Sequence, residues 1–107
     1  MEKSNFYIAL RQQGSLFQEY KFKLVSGYTE SFTAPDGTTI RIGINQPNAN
    51  GDWHTTELST GFSLSKHASS RQKLLQEITG DFLQSVSDLL KTETSKTAIK
   101  RMKTYTI

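Results

Sequence analysis

Two histidines, ten carboxylates and no cysteine are the groups with which this 107-residue chain could do metal or acid–base chemistry. His54 and His67 do not stand at helical metal-ligand spacing, and no Glu-x-x-His pattern accompanies them. Without thiols, disulfide staples and thiolate ligands are excluded, and only imidazole and carboxylate donors remain. There is no Gly-x-Ser-x-Gly elbow for a nucleophilic serine. Nothing marks out two of the acids as a glycosidase-like pair. Gly37, Gly43, Gly51 and Gly61 read as turns or close packing, not as a phosphate-cradling loop. The expectation is a protein that is not an enzyme and carries no cofactor and no metal.

Cations and flat side chains offer more. Sheets bind single strands by presenting cations to phosphates and aromatic faces to bases. Lys21, Lys23 and Arg41 alternate away from the apolar faces of their strands, Tyr7 lies on the first strand, and Trp53 stands beside His54 on another. The charge is uneven. From Lys91 onward there are five basic residues and one acid, against eight basic and nine acidic residues before it. Lys100, Arg101 and Lys103 are the dense part of that tail, which attracts phosphate or acidic partners without specificity. Each feature also has a plain structural use. Lysine and arginine on a wet sheet face solubilise it and guard its edges, and a lone tryptophan commonly belongs to a core.

These residues need elements to hold them. Phe6, Ile8 and Leu10 alternate with polar neighbours at strand period. Gln13-Gly14-Ser15 reads as a turn, a strand follows from Phe17 to Val25, and Ser26-Gly27 is expected to break it before another strand from Tyr28 to Ala34. Ala34-Pro35-Asp36-Gly37 is a hairpin turn. Its return strand places Ile40, Ile42 and Ile44 on one face and Arg41, Gly43 and Asn45 on the other. Asn45 to Gly51 reads as a polar, exposed loop. Strands from Asp52 to Glu57 and around Phe62 to Leu64 flank a Ser59-Thr60-Gly61 turn. Ser69, with Gln72 three residues on, is the expected N-cap of a helix. Its apolar stripe steps through Leu75, Ile78, Phe82, Val86 and Leu89. The fold class is therefore α+β: a curved antiparallel sheet of about five or six strands, then one long C-terminal amphipathic helix and a short basic helical tail. Residues 1–92 are expected to form one domain and 93–107 the tail. The lack of cysteines and of a long apolar run points to a cytoplasmic protein without membrane association.

The order of these elements resembles the positive cofactor four / Whirly-type single-stranded-DNA-binding fold. The likeness rests on Ile40-Arg41, Gly51-Asp52-Trp53, Thr55-Thr56, Gly61-Phe62-Ser63-Leu64 and the helix from Ser69, within Tyr20 to Leu90. It implies four curved strands, a dimerising helix and nucleic-acid contacts through Arg41, with Lys21 and Lys23 approximately in place. Glu57, Ser59 and Thr60 stand where that family carries basic residues. Two functional expectations follow. One is a single-stranded nucleic-acid-binding protein, homodimeric through the helix Ser69 to Leu90, using Lys21, Lys23, Arg41, Trp53, Tyr7 and the tail cations. The other is a protein-binding accessory or inhibitor module of a phage or mobile element.

Overall fold

A computed structural model describes residues 1–11 and 20–106. The expected Gln13-Gly14-Ser15 turn and the start of the second strand lie outside the described residues. Five strands, β1 (Glu2–Arg11), β2 (Tyr20–Thr33), β3 (Thr39–Asn45), β4 (Trp53–Glu57) and β5 (Ser63–Ala68), form one open antiparallel sheet in sequence order. Three helices follow: α1 (Arg71–Glu77), α2 (Gly80–Leu90) and α3 (Glu93–Thr106). The α+β class and the curved antiparallel sheet are as expected. The single long helix is not.

The helix breaks because Thr79 does better as a cap than as a helical residue. Ile78 and Thr79 leave the helical region, with Thr79 extended at φ −91°, ψ 169°, and the Thr79 hydroxyl accepts from the Phe82 N–H. Gly80 follows as the first residue of α2, and a Thr-Gly pair is poor helix material. The break re-phases the apolar stripe. Leu74 is fully buried and Leu75 only half-buried, and the next buried residues are Phe82, Leu83 and Val86. The N-cap of α1 is Ser70, one residue later than expected, and its hydroxyl accepts from the Lys73 N–H at 3.2 Å.

The main core lies between the sheet and α1–α2. Ile40, Ile42 and Ile44 are buried on β3 and meet Ala34, Leu64, Leu74, Phe82, Leu83 and Val86, with Tyr28, Phe32 and Trp53 packed around them. Burying one such aliphatic side chain is worth about 1.5–3 kcal/mol. The hairpin turn docks beside this core. Asp36 Oδ2 accepts from Ser87 Oγ at 2.7 Å, from Lys91 Nζ at 2.8 Å and from Gln84 Nε2 at 3.1 Å. Pro35 packs near Gly80. One face of α2 thus serves the turn and another serves the core.

Gly27 does not end a strand. β2 runs unbroken through it, pairing with β1 on one side and β3 on the other. A Cβ at Gly27 would collide with the Ile44 carbonyl, and one at Gly43 would lie 2.8 Å from Phe6 Cζ and 2.9 Å from Leu58 Cδ2. Phe6 and Leu58 therefore lie over two glycines on the face opposite the helices, where Thr29, Asn45 and Thr56 are also buried. This side of the sheet is wet only in part. The sheet curls until the Ala9 N–H on β1 donates to the Gly61 carbonyl at 2.8 Å. Gly61 has φ +77°, and a Cβ there would stand 2.7 Å from Met102 Cε. α3 seats against this point through Met102, and Ser95 and Ala98 are buried along the same helix.

Candidate nucleic-acid interface

The expected site residues fall into three places. The first is the far end of β2 and the last turns of α3. Lys21, Phe22, Arg101, Thr104 and Tyr105 line a pocket of about 570 Å³. Tyr105 stands edge-on to Tyr7 with ring centres 5.1 Å apart, and its ring lies 4.6 Å from that of Phe22. Such pairs contribute about 0.5–1.5 kcal/mol beyond area burial. Tyr105 nevertheless remains 51% exposed. Tyr7 is thus the floor beneath Tyr105, not an open face of its own.

Helical geometry explains the set. With about 100° per residue, Ser95, Ala98 and Met102 share the inward side of α3, Arg101 and Tyr105 flank it, and Lys100 points outward. Lys100, Lys103, Lys21 and Lys23 are all exposed. Lys21 lies opposite Leu10 and Lys23 opposite Ile8 in the β1–β2 ladder. Thr92 organises the start of α3, where its hydroxyl accepts from the Ser95 N–H at 3.2 Å and Ser95 Oγ donates to the Leu89 carbonyl at 2.6 Å.

Arg41 stands elsewhere. It pairs with Ser31, eight residues along β2 from Lys23. At about 3.3 Å per residue that is about 26 Å of path along the curved strand, and Lys21 and Arg41 line different pockets. Arg41 instead borders a second pocket of about 290 Å³ with Thr39, Glu57, Leu58, Ser59 and Leu90. Glu57 is 2% exposed. Its carboxylate accepts from Ser59 N–H (2.9 Å), Ser59 Oγ (2.6 Å), Thr60 N–H (2.9 Å) and Thr60 Oγ1 (2.7 Å). The Glu57, Ser59 and Thr60 positions that lack the family's cations therefore build the turn between β4 and β5.

Trp53 is the third place. It packs on the core side with its ring 6.1 Å from Tyr28, and the Arg71 guanidinium sits 4.0 Å from the Tyr28 ring centre and 5.6 Å from that of Trp53. That arrangement clamps α1 to the sheet. His54 and His67, which sequence spacing kept apart, lie directly opposite each other on β4 and β5.

Phe22, Thr104 and Tyr105 were not singled out as site residues by the sequence. One signal was present for Tyr105, since it extends the Ala98, Met102 spacing by three residues. Among the described residues, the marked pKa shifts lie outside these places. Lys91 and then Ser87, through their hydrogen bonds, hold the Asp36 carboxyl far below the usual range, and the same contact raises Lys91.

Among the described residues no group of three or more histidine, cysteine, aspartate or glutamate side chains converges, and no helix is long and apolar enough to cross a membrane. Comparison with known protein families, with curated proteins and with solved structures finds no match to this chain.

Proposed function

We propose that this is a small, non-enzymatic, cytoplasmic single-stranded nucleic-acid-binding protein whose contact surface is the β2–α3 end. The observation that carries the reading is the pocket where Lys21 and Arg101 flank the exposed Tyr105 ring. Cations beside an exposed aromatic are what a strand needs: phosphates meet the charges and a base stacks on the ring. Lys23, Lys100 and Lys103 add exposed positive charge on the same two elements. The likeness to the positive cofactor four / Whirly type supports the same class of ligand but locates it differently, since Arg41 and Trp53 stand apart from this end.

Homodimerisation belongs to the proposal as well. Leu74, Phe82, Leu83 and Val86 are occupied by the chain's own core, so a second copy would use Leu75 and Leu89, which lie outside it. The test is fluorescence anisotropy with a labelled single-stranded oligonucleotide at two salt concentrations. Binding should be clear at low salt and fall steeply as salt rises, because bound cations release counterions. Absence of binding at low salt would sink the reading.

One observation favours a protein-binding module instead. Leu24 is 53% exposed and lies across from Tyr7, on the face that carries Tyr105. An exposed aliphatic side chain beside exposed aromatic surface marks a contiguous apolar patch, which suits a protein partner. Pull-down of a single protein that survives nuclease treatment, and is lost in a Leu24→Ser variant, would decide for this alternative.

A further inference from the structure

The face opposite the helices carries a row of nitrogen and oxygen donors that neither reading uses. His67 on β5 lies directly across from His54 on β4, and His54 lies directly across from Asn45 on β3. Residues in register across a ladder share one side of the sheet. The two imidazoles are stacked with centres 4.3 Å apart and planes 15° from parallel. His67 is exposed, His54 half-buried and Asn45 buried, so the row runs from solvent inward. The strands are held here by Thr55 Oγ1, which donates to the Lys66 carbonyl at 2.9 Å. A register irregularity between His54 and Thr56 sits beside the pair. Bulges commonly re-aim side chains at such points.

We propose that His54 and His67, with Asn45 behind them, form a two-imidazole chelate for a divalent transition-metal ion of the copper(II)–zinc(II) kind. Neutral imidazole is a favoured ligand of these ions, and their affinity for nitrogen donors peaks at copper. Metal–nitrogen bonds of about 2.0–2.1 Å place the two ligand nitrogens about 2.9 Å apart at the right angle of square-planar copper(II) and about 3.3 Å apart at the tetrahedral angle of zinc(II). Rings already parallel at 4.3 Å reach either by tilting their nitrogen edges together. The torsion between a tetrahedral and a planar carbon is broad and roughly two-fold, so such a tilt is cheap. The Asn45 side-chain carbonyl is the third donor in line, and water completes the sphere. The row contains no carboxylate, so hard ions such as magnesium, which favour oxygen ligands, are not its ligands.

The experiment is titration of the untagged chain at pH 7.5 with zinc(II) and with copper(II) salts, followed by calorimetry and by electron paramagnetic resonance for copper. Saturable binding of one equivalent is expected, with hyperfine splitting from two imidazole nitrogens. His54→Gln and His67→Gln should each weaken it roughly a hundredfold, since either removes the chelate advantage. Circular dichroism confirms that the variants fold, and magnesium should give no saturable heat. The assignment is overturned by any of three results: no saturable binding, fewer than two nitrogens on copper, or undiminished affinity in the double variant.

Discussion

The Nζ of Lys91 lies 2.8 Å from Oδ2 of Asp36, which ties the C-terminal cap of α2 to the hairpin between β2 and β3. Ser87 and Gln84 reach the same carboxylate from one helical face, and the Thr38 N–H donates to its other oxygen at 2.9 Å. The turn sequence therefore does two jobs. It reverses the chain and it anchors the helix.

This contact has a signed pH dependence. Folding lowers the pKa of Asp36, so its contribution is complete above the unfolded value of about 3.9 and is lost as pH falls below that. Folding raises the pKa of Lys91, so its contribution is complete below about 10.4 and is lost as pH climbs past that. Both groups are partly solvated, and the effect is screened accordingly. Asp36→Asn should lower the melting temperature between these limits, and the gap from the parent should narrow below about pH 4. Thermal melts across pH 2–7 check this, and a gap that stays constant would refute it.

Phe6 and Gly43 should behave as a coupled pair. Gly43→Ala puts a methyl group 2.8 Å from Phe6 Cζ. Such overpacking costs about 1–3 kcal/mol. Leu58 Cδ2 stands almost as close, at 2.9 Å, and both obstacles are ends of side chains. Removing the Phe6 obstacle relieves part of the clash, so Phe6→Leu together with Gly43→Ala should cost less than the sum of the single changes. Denaturant titration of the four-membered cycle measures the difference.

Leu74 and Leu75 distinguish the broken helix from a continuous one. Leu74→Ala should cost about 2–5 kcal/mol, as a fully buried leucine does, and Leu75→Ala markedly less. Urea unfolding of both variants reads this directly, and the reverse order would contradict the re-phased stripe.

Glu57 makes the β4–β5 turn depend on a carboxylate. Glu57→Gln keeps the shape but points amide protons toward two of four donors. Leaving such buried groups unpaired costs about 1–3 kcal/mol each. Chemical denaturation should show that loss, while Ser59→Ala alone, which removes one donor and leaves three, should cost less.

Tyr105 and Trp53 should separate in an oligonucleotide titration. A base stacked on an aromatic is worth about 1–3 kcal/mol, so Tyr105→Ala should weaken binding roughly 5- to 150-fold. Trp53→Phe keeps the core contact and should leave affinity unchanged. Replacing Lys21 and Arg101 together should flatten the logarithmic salt slope by about 1.4, at about 0.7 per phosphate contact on a single strand.

Strand and turn assignments were legible because they follow local rules. The two-residue period of Ile40, Ile42 and Ile44 marks an apolar face whatever covers it, and Pro35-Asp36-Gly37 encodes its own reversal. Gly27 departs from those local rules. In sequence a glycine after a serine looks like an interruption, and only the approach of the Ile44 carbonyl shows why a side chain is excluded there. In sequence the helix is continuous because Leu75, Ile78 and Phe82 keep the period, whereas the capping bond of Thr79 that breaks it depends on one hydroxyl.

The sequence by itself determined the class of fold, the faces of β3, the hairpin turn and the excess of cations near the end of the chain. Those depend on interactions between residues a few positions apart. The tertiary structure alone decided that Lys21 and Arg101 line one pocket, that Arg41 borders another and Trp53 packs on the core, and that His54 faces His67. The physical reason is that strand register and accumulated sheet twist set these distances. Both arise from all the pairings summed along the sheet, and no local pattern carries that sum.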